Sequence, residues 1–98
     1  MSRLTSAERK HLRGLAHALE PLVRIGKAGL GEPQLAQIDQ ALADHELIKV
    51  RFLAGKPDPG EVVTIEERLT CDTAGAIGHV LILYRQQPDP QKRRVRLS

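Results

Sequence analysis

Segments of helical period alternate along this chain with short apolar runs, and that alternation limits the folds it can reach. Leu12, Leu15, Ala16 and Leu19 recur at helical spacing, as do Leu35, Ile38 and Leu42, and again Val62, Ile65 and Leu69. Between and after these stripes come apolar runs over 21–25, 47–53 and 80–84, with a weaker one over 73–77. The predicted order is α-β-α-β-α-β-β. Each amphipathic helix must bury one stripe, and a sheet with alternating strands offers an apolar face to receive it. The expected fold is therefore α/β and two-layered, a four-stranded mixed sheet with three helices on one face. Helix-linked strands should run parallel, and the last pair antiparallel.

Local signals set the boundaries. Thr5-Ser6-Ala7-Glu8 reads as a capping box, so a first helix should run from there to about Leu19. Pro21 ends it and favours extended geometry. Pro33 suits the first turn of a second helix over 32–43. In the strand that follows, Ile48, Val50 and Phe52 face one way and Lys49 and Arg51 the other. Residues 55–60 read as a loop, and a third helix is expected over 61–70. After Gln86 the chain turns polar and basic, so the reading is one domain over 1–86 and a basic tail over 87–98.

Between the first strand and the second helix stands Gly26-Lys27-Ala28-Gly29. Two glycines bring backbone N–H groups close to a visitor, the following helix adds its positive end, and Lys27 adds a mobile charge. A phosphate chain suits such a turn, although four residues alone more readily describe a tight connection. Charge tips the balance. Arg3, Arg9, Lys10, Arg13, Arg24 and Lys27 precede Gly31 against only Glu8 and Glu20, whereas 31–48 holds acids and no Lys or Arg. The net charge is only +3, but its sidedness implies an oriented surface for a polyanion. On the first helix Lys10, Arg13 and His17 share a face. Arg24, Lys49 and Arg51 should project from the sheet face left open by the helices, and Arg93 and Arg94 belong to the basic tail.

Other chemistries find little support. The four histidines, His11, His17, His45 and His79, lack metal-ligand spacing, and one cysteine makes a zinc site implausible. Ser2, Ser6 and Ser98 lie near the ends of the chain, so no Ser–His–Asp arrangement is expected. No G-x-G-x-x-G and no Walker lysine follow the glycines. Cys71 reads as a small buried hydrophobe. No enzyme, cofactor, metal or small-molecule substrate is expected. A lone cysteine, no secretory h-region and no membrane-length apolar run predict a cytoplasmic protein, taken as a monomer. Phe52 and Tyr84 are the only aromatics. Base stacking on a sheet, as RRM and OB modules do it, is therefore excluded in favour of backbone and shape recognition.

The run Leu12-Arg13-Gly14-Leu15-Ala16-His17-Ala18-Leu19-Glu20-Pro21-Leu22-Val23-Arg24-Ile25-Gly26-Lys27-Ala28-Gly29-Leu30 resembles the signature of the CRM domain, the YhbY-like family. Ile38-Asp39-Gln40-Ala41-Leu42, His45-Glu46-Leu47-Ile48-Lys49-Val50 and Ile77-Gly78-His79-Val80-Leu81-Ile82-Leu83-Tyr84-Arg85 extend the likeness across nearly the whole chain. The resemblance implies the same element order, similar to the C-terminal domain of a bacterial translation initiation factor. It also implies RNA binding without catalysis. Its single-domain bacterial members are associated with precursors of the large ribosomal subunit. It places the RNA loop on Gly26, Lys27, Ala28 and Gly29, and basic first-helix positions on Lys10 and Arg13. Two departures stand out. Gly31 replaces a Ser or Thr cap, and Ala74-Gly75-Ala76 weakens the third strand, which is expected to be short or frayed.

The function expected is rRNA binding in large-subunit assembly, through the glycine turn and the basic first helix. The alternative is a module that docks a basic ribosomal protein or assembly factor through acidic helices 2 and 3.

Overall fold

The capping box at Thr5 forms as read. Thr5 Oγ1 accepts from the Glu8 N–H at 3.0 Å, and Glu8 Oε1 accepts from the Thr5 N–H at 2.9 Å. It opens α1, Ser6–Ala16, in a computed structural model that describes residues 4–97. Arg3, counted among the basic residues, and Ser2 and Ser98 lie outside the described residues. The elements that follow are β1 (Val23–Ile25), α2 (Glu32–His45), β2 (Leu47–Phe52), α3 (Pro59–Leu69), β3 (Asp72–Ile77) and β4 (Val80–Tyr84), then a short 3₁₀ turn (Pro90–Lys92). The order is the predicted one.

The sheet order is β1-β2-β4-β3. β1 and β2 are parallel, and β4 runs antiparallel to β2 and β3. The three helix-linked strands thus share a direction, as expected, with β4 opposed to them.

The placement of the helices needs a correction: they do not all lie on one face. Ile48, Val50 and Phe52 of β2 join Leu81 and Leu83 of β4 in a core with Leu35, Ile38 and Leu42 of α2 and Ile65 of α3. Leu47, Ile82 and Tyr84 point the other way, into a second core with Leu12 and Ala16 of α1. The cause lies in β4. Leu81, Ile82, Leu83 and Tyr84 are all buried, and a strand apolar at successive positions needs cover on both sides. The molecule is therefore three-layered, with α1 on one side of the sheet and α2 and α3 on the other.

This docking explains other differences from expectation. Only Leu12 and Ala16 of the α1 stripe are buried; Leu15 and Leu19 are 43% and 39% exposed. One i, i+4 pair suffices, because small Ala16 lets the helix lie close to the sheet. The helix stops at Ala16, where the Leu19 N–H turns back to the Ala16 carbonyl at 2.9 Å. α3 begins two residues early because Asp58 Oδ2 caps it, accepting from Gly60 and Glu61 N–H at 3.0 and 3.3 Å. Pro59 then sits in the first turn, where it needs no N–H.

β3 is not short. It spans six residues and carries a bulge between Thr73 and Gly75. Its small residues are what α1 requires. Ala74 is fully buried under the helix, and a Cβ on Gly75 would stand 2.6 Å from Arg13 Cδ.

Candidate nucleic-acid interface

Three loops meet where β1 and β2 end. The 26–29 segment leaves β1, residues 53–58 leave β2, and the β3–β4 hairpin turns at Gly78 and His79. Backbone bonds tie them together: Leu53 N–H donates to the Ile25 carbonyl at 2.8 Å, and Phe52 N–H to the His79 carbonyl at 2.8 Å. Carboxyl ends of neighbouring parallel strands, each followed by a helix, are where open α/β sheets collect ligands.

The glycine segment is a closed turn. Gly29 N–H donates to the Gly26 carbonyl at 3.0 Å, and Gly29 has φ +83°, a conformation that side chains resist. Gly26 is different. Its φ is not positive, and nothing stands within 4 Å of where its Cβ would be. The fold itself has no need of glycine there. Lys27 and Ala28 are exposed, and their N–H groups have no acceptor among the described residues. α2 starts behind the turn at Gly31, which offers no side-chain cap; its own N–H donates to Gln34 Oε1 at 3.0 Å. The helix end is thus open to an anion from outside.

The second loop adds a residue that sequence reasoning missed. Lys56 shares with Gly26, Lys27, Gly29 and Gly55 a cleft of about 250 Å³. Gly55-Lys56-Pro57 reads as a connector by composition. Only the β1–β2 pairing, which sets the two loops side by side, marks Lys56 as a partner of Lys27.

Next to the turn, Arg24 and Arg51 are partners in the parallel register. Both are exposed on the sheet face opposite α2 and α3, and neither forms an ion pair among the described residues. Like charges side by side on a sheet repel, and an anion between them would relieve that repulsion. Lys49, on the same face, spends its ammonium on the Leu19 carbonyl at 3.0 Å, fixing the segment between α1 and β1.

The remaining predicted residues are scattered. Lys10 and His17 are exposed on and just after α1. Arg13 leans towards β3, where Nη1 donates to the Ala74 carbonyl at 2.9 Å, so part of its donor set serves the fold. Arg93 and Arg94 are exposed but stand at the far end of the sheet, about 17 Å away along β2. The tail is held there by Glu46, which is 1% exposed and has φ +67°. Its carboxylate accepts from the N–H of Gln87 at 2.7 Å, of Val95 at 2.8 Å, and of Arg94. Val95 and Leu97 pack on the α1 core, and the Arg96 carbonyl accepts from His11 Nε2 at 2.9 Å.

The acidic face of α2 is partly neutralised from elsewhere in the chain. Glu32 pairs with Arg68 at 2.9 Å and Asp39 with Arg85 at 2.7 Å. Burial pushes the Cys71 thiol up to about 12. Among the described residues no three His, Cys, Asp or Glu side chains cluster as metal ligands, and no helix is long and apolar enough to cross a membrane.

Known proteins resemble this chain in sequence and in fold. An RNA-binding protein of Haemophilus influenzae is 38% identical over 87% of this chain and 88% of its own. A Pseudomonas aeruginosa protein also named for RNA binding is 33% identical, over 91% and 88%. The solution structure of SAV1595 from Staphylococcus aureus, described as a candidate RNA-binding protein, superposes with a TM-score of 0.70. It is 30% identical and covers 95% of this chain and 99% of its own. The CRS1/YhbY (CRM) domain model matches residues 4–85, a span that takes in every helix, every strand and both glycine loops. With sequence and fold in agreement, this chain belongs to the CRS1/YhbY (CRM) domain family.

Proposed function

We propose that this chain binds RNA through the phosphate backbone, using the 26–29 turn with Arg24 and Arg51 beside it and the outer face of α1 as a flank. Gly26 carries the reading. No strain and no neighbour among the described residues calls for glycine there, and its missing side chain leaves the backbone open to something that approaches from outside. An uncapped helix end, free N–H groups and unpaired cations give that visitor a negative charge. The relatives named for RNA binding support reading that visitor as a nucleic acid. The family resemblance further supports precursors of the large ribosomal subunit as the target, and we take the protein to act in the cytoplasm as a monomer. The docking alternative through α2 and α3 draws less support, since Glu32 and Asp39 are already paired within the chain.

The test is binding to large-subunit rRNA fragments across a salt series. Lys27→Ala should weaken binding and flatten the log–log salt slope by about one unit. Unchanged affinity and slope would remove the turn from the interface. Cosedimentation tests the ribosomal setting: the protein should travel with large-subunit precursors and be absent from mature particles.

A further inference from the structure

The cleft between the two glycine loops is not simply cationic. Glu61, from the first turn of α3, lines it together with Lys27 and Lys56. Its Oε2 lies 3.8 Å from where a Cβ on Gly29 would stand, directly beside the turn. Glu61 is half-buried, yet its carboxylate has no hydrogen bond or ion pair among the described residues. Nor does α3 need it as a cap, because Asp58 already occupies that place. Glu32 and Asp39 are each engaged by an arginine; Glu61, among the described residues, is not, and it lines the cleft beside the turn.

A free carboxylate beside a phosphate cradle repels the ligand the cradle is built for. It helps only if the ligand brings a hydrogen-bond donor to the same spot. The backbone of RNA carries one such donor that DNA lacks, the ribose 2′-hydroxyl, which neighbours the 3′-phosphate. Base amines lie farther from the phosphate than the sugar does. The buried ring of Phe52 lines the same cleft and supplies an apolar surface for a sugar.

We propose that the cleft is a ribose–phosphate subsite in which Glu61 accepts a hydrogen bond from the 2′-hydroxyl, while Lys27 and Lys56 hold the phosphates on either side. Glu61 thereby selects RNA over DNA, at some cost in affinity for any phosphate chain. This rests on the reading of the 26–29 turn as a phosphate cradle, and the experiment separates the two. Fluorescence anisotropy with the full chain measures binding to a short mixed-sequence RNA strand, its all-deoxy counterpart with the same bases, and its 2′-O-methyl counterpart. Wild type should prefer RNA to both. Glu61→Ala should cut that preference about tenfold, losing RNA affinity while gaining affinity for the deoxy strand. Glu61→Gln, which keeps an acceptor and loses the charge, should retain the preference and bind every strand more tightly. Lys56→Ala should weaken all strands by the same factor. An unchanged preference in Glu61→Ala, with Lys27→Ala still weakening binding, overturns the ribose assignment alone. Equal losses for RNA and deoxy strands in Glu61→Ala overturn it as well, since they point to a base amine or to folding. A Lys27→Ala variant that binds like wild type overturns the cradle and the subsite together.

Discussion

Gly75 is glycine because of Arg13. The arginine stem crosses β3 where a side chain would otherwise stand, and its guanidinium ends on the Ala74 carbonyl. Gly75→Ala should therefore cost about 1–2 kcal/mol in urea unfolding, because the stem must move and its hydrogen bond weakens. In an Arg13→Ala background the same change should cost less than half as much, a coupling that a double-mutant cycle reads directly. Helical spacing puts Arg13 with Lys10 and His17, but it does not say which flank of a helix meets the sheet, so Arg13's contact with β3 was hidden. Cys71 was legible as a small buried hydrophobe, being a lone cysteine with no partner for a metal or a disulfide. With its pKa raised to about 12 by burial, almost no thiolate exists at neutral pH. Disulfide reagents should modify it only as fast as the protein opens, with rates that climb in urea. Rapid labelling of the native protein would contradict the burial.

The sequence of elements could be read because periodicity reports it, but the layers could not, because periodicity says nothing of which sheet face a helix covers. The clue was the unbroken apolar run of β4, the mark of a strand covered on both sides. The docked tail was harder to see, since its anchors are backbone N–H groups that any sequence would supply. The signal was Glu46, an acid placed directly before the apolar start of β2. Burial alone would raise its pKa; the N–H donors of Gln87, Arg94 and Val95 and the charge of Arg93 outweigh that and hold it below the ordinary value. In the unfolded chain the carboxyl takes up its proton at the ordinary value, and in the folded chain only at a lower pH. Stability from this contact is thus complete above the ordinary carboxylate value and is lost as pH falls through the folded one. Glu46→Gln should lose about 2 kcal/mol near neutral pH, and thermal melts should show the gap from wild type closing in acid.

On the scale of the molecule, basic groups occupy both ends of the sheet. Lys27, Arg24, Arg51 and Lys56 gather where β1 and β2 end, and Arg93 and Arg94 stand by the opposite rim, where Glu46 fixes the tail. The first group was legible apart from Lys56, whose loop spelled only a connector until strand pairing set it against the glycine turn. The two cores also differ in how far apart in the chain their members lie. The one under α2 and α3 draws on Val23 through Leu83, largely from neighbouring elements. The one under α1 joins Leu4 and Leu12 to Tyr84, Val95 and Leu97, so it closes only across almost the full chain. Loop closure over such a span is slow and comes late. During synthesis, α2, α3 and the first strands can settle as they emerge, while α1 waits with Leu12 uncovered until the tail is free to dock. The basic helix is therefore made before the elements that cover it and is secured after them.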